Sequence, residues 1–481
     1  MRGRNDTGGS IWTWMARGAV VALTVAAGCT SLPPLVERPP GPPPPTLIRN
    51  VRIYDGVSDR RSAPQDVLLE NGRIARIAGP GTIPAARGVH QIDGAGRTLL
   101  PGLIDVHGHL GTGTAPPWIQ ELPDPKRSMQ AYLYCGITTV LDPADLATEA
   151  FERRDAVGRG DLLGPHIFAA GPMFTAPGGH PVSALRELTP WWLRWYVVPR
   201  LTRQVRTPAE ARAAVHELAE LHPDVIKTAV DAVPEGEPIL DPATLQAIVE
   251  AARAHGIRTV AHVGTTADAL EAADAGVAAW MHGVYKERIP DEAIPRLAAA
   301  HIPEVATLTV FDDYADLYEQ HYEPTPLERE TVAPQVLAAL TARPADYHPS
   351  AAFERFFALL AATRDARRDN VRRMHAAGVT ILAGSDTQTG TFPGAGLHRE
   401  LKALVGAGLT PAQALRAATG DAARFVANRA DPEFGTVAAG NVADLLLVEG
   451  DPTADIADVS RIVAVILGGV ELVRRPVAAA P

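Results

Sequence analysis

The sequence predicts an α/β protein: a TIM-type (β/α)8 barrel with a small β-sandwich built from both ends of the chain. Three observations carry this expectation. Through the middle of the chain, eight short apolar runs alternate with helical stretches. On either side lie β-like blocks punctuated by Gly and Asn-Gly. At 481 residues, 46% of them hydrophobic, the chain is too long for one ordinary domain and can fill a large core.

The first 29 residues read as a lipoprotein-type signal peptide, whether translation starts at Met1 or Met15. Arg2, Arg4 and Arg17 precede an apolar run at 19–27 that is too short to span a bilayer. The run ends in Ala26-Ala27-Gly28-Cys29, which resembles a bacterial lipobox and makes Cys29 the expected lipidation site. Residues 30–46 are proline-rich and read as a semi-rigid linker. The expected location is therefore the cell envelope, exported to the periplasm and lipid-anchored to a membrane. Cys135, the other of the two cysteines, is left without an intrachain partner and reads as a small packing residue.

Residues 47–100 hold alternating apolar segments such as LIRNVRIYDG and DVLLENGRIARIAG, and residues 432–475 return the same pattern. Together they make the sandwich. Residues 101–431 make the barrel. Its first strand, 104–107, is followed by GITTVLD, PHIFAAG, DVIKTAV, IRTVAHVG, GVAAWMHG, EVATLTV and GVTILAGSD. Helices are expected at 208–221 and 242–255, and the long insertion 312–377 reads as helical and able to cap the barrel mouth.

In such a barrel the chemistry sits at the C-terminal ends of the strands. Those ends present His107 and His109, Lys227, His262, His282 and Asp386. His107 and His109 lie two apart, so on an extended strand they face the same side, and Gly108 leaves the backbone room to approach a ligand. Lys227 stands out because only four of the 45 basic residues are lysines. It lies inside an apolar run, where burial favours the neutral amine. A neutral amine can add carbon dioxide, and the resulting carbamate offers two oxygens to two cations. The net charge of −10 and the lack of a basic stripe argue against nucleic acid as a partner.

The motifs PGLIDVHGH, GITTV, AHVGT, MHG, GSD and GTVAAGNVADLLLVEGDP occur in the order found in the amidohydrolase superfamily. The chain resembles its imidazolonepropionase-like, prolidase-related branch of Xaa-Pro or Xaa-Arg dipeptidases, in the form with a carboxylated lysine. The resemblance implies two divalent metal ions, zinc being expected. His107, His109, Lys227 and Asp386 would bind the first, and Lys227 as its carbamate, His262 and His282 the second. It implies hydrolysis of a C–N bond in a dipeptide or N-acyl amino acid by a hydroxide shared between the ions, with Asp386 moving the proton. His180, in Pro177-Gly178-Gly179-His180, either binds the substrate carbonyl or carboxylate or orders its own loop. Tyr285 is a second candidate for substrate contact. An esterase or lactonase on the same site is the rival reading, and a non-catalytic binding protein a third. Beyond a small-molecule substrate and a membrane reached through the lipid anchor, no partner is indicated, and homo-oligomerisation is left open.

Overall fold

Parallel strands dominate the computed structural model, which describes residues 33–41, 44–84, 87–119 and 121–477. The chain divides into Met1–Pro34 and Leu35–Pro481, and the elements described here belong to the second unit. Cys29 and the expected signal peptide lie outside the described residues. Among the described residues no helix is long and apolar enough to cross a membrane.

Two all-parallel sheets form the middle of the fold. A three-stranded sheet joins Leu103–Asp105, Ile137–Asp142 and His166–Ala169. A seven-stranded sheet runs Thr202–Gln204, Met173–Thr175, Val225–Ala229, Arg258–His262, Ala279–Met281, Glu304–Val305 and Ile381–Leu382. Backbone bonds tie the two sheets at both margins: Val106 N donates to Ala383 O at 3.0 Å, and Asp224 N to Ala169 O at 2.9 Å. The strands are buried along their length, as Val225–Ala229 illustrates, because helices cover parallel sheets.

The connecting helices start where the sequence supplies caps. Thr207 accepts from Glu210 N ahead of Pro208–Ala219, and Asp241 accepts from Ala243 N and Thr244 N ahead of Pro242–Ala254. Thr265 and Asp268 form a reciprocal capping box for Thr266–Ala275, which ends at Gly276 with φ 84°. Trp280, buried in the sheet, donates Nε1–H to Ala269 O at 2.9 Å and so fastens that helix to its strand.

Three expectations need correction. The run at 304–310 is a strand only through Val305. Thr307 turns the chain with φ 46°, and Leu308–Glu319 is a helix. The sheet also gains Met173–Thr175 and Thr202–Gln204, two short strands that the eight-fold reading did not include. Finally, the proline-rich stretch 30–46 is not wholly a linker. Leu35 and Val36 are buried, and Val36–Glu37 pairs antiparallel with Val473–Arg474, because two apolar residues among the prolines find an open strand edge.

The flanking blocks meet in one eight-stranded sheet. Thr46–Ile53, Pro64–Glu70, Arg73–Ala78, His90–Asp93 and Thr98–Pro101 come from one side of the sequence, and Leu445–Val448, Ile462–Leu467 and Val470–Glu471 from the other. The join is Leu445–Val448 antiparallel to Thr98–Pro101. The insertion is helical, as expected: Pro326–Thr331, Pro334–Leu340, Ala351–Ala362 and Arg364–Ala376 follow Leu308–Glu319. Cys135 is fully buried at the end of helix Pro125–Tyr134.

Candidate active site

Each expected ligand lies in an apolar strand or shortly after one. His107 follows Leu103–Asp105, Lys227 lies within Val225–Ala229, His262 ends Arg258–His262, and His282 follows Ala279–Met281. Asp386 comes four residues after Ile381–Leu382. All six expected ligands, with His180 and Tyr285, line one cavity of about 210 Å³.

Five imidazoles run across its floor. Ring centroids are 5.3 Å apart for His109 and His107, 4.7 Å for His107 and His282, 4.2 Å for His282 and His262, and 4.5 Å for His262 and His180. Donor atoms of His107, His282 and Asp386 all lie within 4.8 Å of one another, close enough to share a cation. Asp386 Oδ1 is 3.0 Å from His109 Nε2 and 3.4 Å from His107 Nε2, and its other oxygen is 3.8 Å from His282 Nδ1. His262 is oriented differently: its Nε2 faces Asp231 Oδ2 at 3.3 Å.

The backbone holds these groups under strain. His282 (φ 69°), Thr307 (φ 46°) and Asp386 (φ 51°) occupy the left-handed region without being glycine, at a cost of roughly 1 kcal/mol or more each. Asp386 N donates to His107 O at 2.5 Å, tying the last strand end to the first. Asp105 bridges the same two strands by accepting from His107 N at 3.1 Å and Ser385 N at 3.0 Å. At Gly108 a Cβ would fall 2.4 Å from Tyr132 Oη, so a side chain between His107 and His109 would force a neighbour to shift.

Electrostatics suit most of these groups to a metal; His109 is the exception, since burial would lower its ring but Asp142 and Asp386 raise it to about 10. Burial lowers the pKa values of His107, His180 and His282, leaving neutral rings with free lone pairs. Burial by itself would raise Asp386, but His107 and His109 beside it hold the carboxylate well below its usual range. Burial lowers Lys227 to about 7, against the opposing pull of Asp386. Lys227 is 0% exposed, and its Nζ has no hydrogen-bond partner among the described residues; His107 Nδ1 likewise has none. An orphaned amine and an orphaned imidazole nitrogen amid carboxylate and imidazole donors are what a divalent cation would satisfy.

Several residues that the sequence reading passed over support this set. Asp231 accepts from Tyr285 Oη at 2.6 Å and from Lys286 Nζ at 2.5 Å besides facing His262. Burial favours its neutral form, but His262 and Lys286 outweigh this and keep it ionised. Thr307 Oγ1 contacts His282 Nδ1 at 2.6 Å, and Asp142 Oδ1 lies 3.6 Å from His109 Nδ1. The sequence signal for Asp142 and Asp231 was an acid just past an apolar strand; for Thr307 there was none. Tyr285 is thus engaged through its hydroxyl, while His180 Nδ1 has no partner among the described residues.

The walls of the cavity are aromatic. Helix Leu308–Glu319 contributes Tyr314, Leu317 and Tyr318, and helix Ala351–Ala362 contributes Phe353, Phe356 and Phe357. Both sets follow the i, i+3, i+4 spacing of one helix face. Tyr285 stacks on Phe311 with centroids 4.0 Å apart. Arg343, whose Nη1 donates to Tyr318 O at 2.9 Å, also lines the cavity.

Comparison with known proteins bears on most of the chain. Residues 98–472 match the amidohydrolase family. A stretch of 103 residues is 30% identical to adenine deaminase 2 of Shouchella clausii (strain KSM-K16), covering 21% of this chain and 16% of that protein's length. The fold is similar to that of a Xaa-Pro dipeptidase with methionine bound in its active site, with a TM-score of 0.70 and 23% identity over 89% of this chain and 99% of that one. It is also similar to ochratoxinase of A. niger, with a TM-score of 0.67 and 22% identity over 90% of this chain and 96% of that one.

Proposed function

The chain belongs to the amidohydrolase family, and on that premise we propose that it is a metal-dependent hydrolase of an amide C–N bond in dipeptides or N-acyl amino acids bearing a bulky apolar group. The observation that carries this reading is the gathering of His107, His109, Lys227, His262, His282 and Asp386 in one aromatic-walled cavity. The two parallel sheets are read as one closed (β/α)8 barrel, and the flanking eight-stranded sheet as the sandwich.

Two divalent ions, zinc by the chemistry of the donors, are the proposed cofactors. His107, His109, Asp386 and Lys227 would hold one, and His262, His282 and Lys227 the other. Lys227 serves both after its neutral amine adds carbon dioxide and loses a proton. When bound, the ions supply Lewis acidity and make water acidic enough to attack at neutral pH.

The chain's own residues do the rest. Asp386, kept ionised by its histidine neighbours, takes a proton from the attacking water and delivers it to the leaving amine nitrogen. His180 offers an unpartnered ring nitrogen to the substrate carbonyl oxygen. Arg343 in the cavity lining provides charge for a substrate carboxylate. Asp231 and Tyr285 fix the His262 ring, and the aromatic wall takes the apolar group and excludes water from the reacting bond.

The test is zinc-loaded protein assayed on dipeptides and N-acyl amino acids graded from glycyl to aromatic, with ester and lactone controls. Amide turnover should rise with apolar size, in protein holding close to two metal equivalents. Turnover confined to esters and lactones would overturn the amide assignment, and active protein with at most one tightly bound ion would overturn the two-ion site. The same reading places the protein in the cell envelope through acylated Cys29. The lipobox-like run supports this, and mass analysis of wild type against Cys29→Ser checks it.

A further inference from the structure

We propose that residues 182–201 form a lipid-facing surface that seats the cavity mouth on an anionic bilayer, a contact separate from any acyl anchor at Cys29. The segment folds as helix Val182–Leu188, a turn, and helix Arg194–Leu201. It exposes three tryptophans: Trp191 is 79% exposed, Trp195 72% and Trp192 56%, with Leu188 beside them at 53%. Three exposed indoles within five residues are costly to leave in water. Tryptophan is instead favoured where an apolar bilayer edge meets headgroups, because its ring is apolar and its N–H is polar.

Charge points to the same partner. Although the chain carries a net charge of −10, these two helices and their turn hold Arg186, Arg194 and Arg200 against one acid, Glu187. Arg200 stacks on Tyr196, 4.0 Å from the ring centroid, and Tyr196 in turn donates to Glu149 at 2.9 Å, so this face braces the second helix while Trp195 is exposed. A local basic cluster joined to indoles is the composition of a surface that sits in an anionic interface.

The position gives the contact a use. Ala184, Leu185 and Leu188 of the first helix line the catalytic cavity. A bilayer seated on Leu188 and Trp191 therefore lies at the edge of the aromatic-walled opening. Apolar substrates dissolved in the lipid reach the cavity without crossing bulk water.

The experiment uses full-length Cys29→Ser protein, which cannot be acylated, and its Trp191→Ala/Trp192→Ala/Trp195→Ala derivative. Each is floated with vesicles of phosphatidylethanolamine and phosphatidylglycerol, and with vesicles of phosphatidylcholine alone. The triple variant should bind the anionic vesicles at least about tenfold more weakly than its parent. Arg186→Glu/Arg200→Glu should weaken binding to phosphatidylglycerol vesicles and leave phosphatidylcholine binding unchanged. Amide hydrogen exchange in residues 182–201 of the parent should slow when anionic vesicles are added, a readout that depends on no variant. Equal flotation of parent and triple variant, or unchanged exchange in this segment, overturns the proposal. So does a triple variant that binds vesicles like its parent but turns an oligomer into a monomer, which would assign the patch to a second copy of the chain.

Discussion

Tyr285 donates its hydroxyl to Asp231 Oδ2 at 2.6 Å, and that same oxygen faces His262 Nε2 at 3.3 Å. One carboxylate therefore sets the orientation of a proposed metal ligand while a tyrosine and Lys286 hold the carboxylate. Its position is enforced sterically as well: a Cβ at Gly264 would lie 2.2 Å from Asp231 Oδ2.

Asp231→Asn should consequently lower metal affinity and turnover by about 10–100-fold, with Tyr285→Phe milder, because outer partners orient the ligands they touch. Metal titration alongside kcat separates positioning from folding. Unchanged affinity and rate in Asp231→Asn would show that the carboxylate does not govern His262.

Lys227→Arg should be as damaging as Lys227→Ala. Arginine keeps a positive charge but cannot supply two anionic oxygens, and its guanidinium would repel cations. Acetate or propionate added with zinc should restore part of the activity of Lys227→Ala, and carbon dioxide depletion should slow metal reconstitution of the wild type. Wild-type metal content and rate in Lys227→Arg would return the residue to a structural role.

Gly108→Ala should destabilise the protein by about 1–3 kcal/mol through overpacking against Tyr132, and should weaken metal binding by displacing His107 and His109. Removing the clashing oxygen in a Gly108→Ala/Tyr132→Phe double variant should recover part of the loss. Denaturant midpoints of the four members of this cycle decide it; strict additivity would mean that the contact is not the cause.

Glu400 gives a pH signature remote from the cavity floor. Its Oε2 accepts from Thr309 N at 2.8 Å, its Oε1 has no partner among the described residues, and burial raises the carboxyl from 4.5 to about 8. The folded state then holds a proton that the unfolded state releases, so this contribution is full below the unfolded value and is lost as pH rises toward 8. Stability should fall by at most about 1.4 kcal/mol per pH unit across that window, and Glu400→Gln should flatten the slope. Parallel slopes for both proteins, from urea midpoints at several pH values, would count against it.

The proposed ligands were legible in the sequence because each is a polar residue in or just past an apolar strand, a pattern that burial makes conspicuous. The run EVATLTV shows the limit. Its β-branched residues suit a strand throughout, and only the left-handed turn at Thr307, which no local pattern announces, sends the rest into a helix. Asp231 and Thr307 were missed because they act on ligands distant in sequence. Leu35 and Val36 were missed because their composition is that of a spacer, while their strand partner lies at the opposite end of the chain.

The strand ends that carry the proposed donors are dealt out along the chain between residues 107 and 386, and the last donor is bonded through its backbone to the first. No fragment that stops short of Asp386 contains the full set. During synthesis the proposed centre is therefore completed only once Asp386 is in place, and metal capture would report that every strand end from His107 to Asp386 has assembled. Truncation or proteolytic nicking anywhere in that interval should release metal before it unfolds the remaining strands, which makes bound metal a sensitive readout of chain integrity.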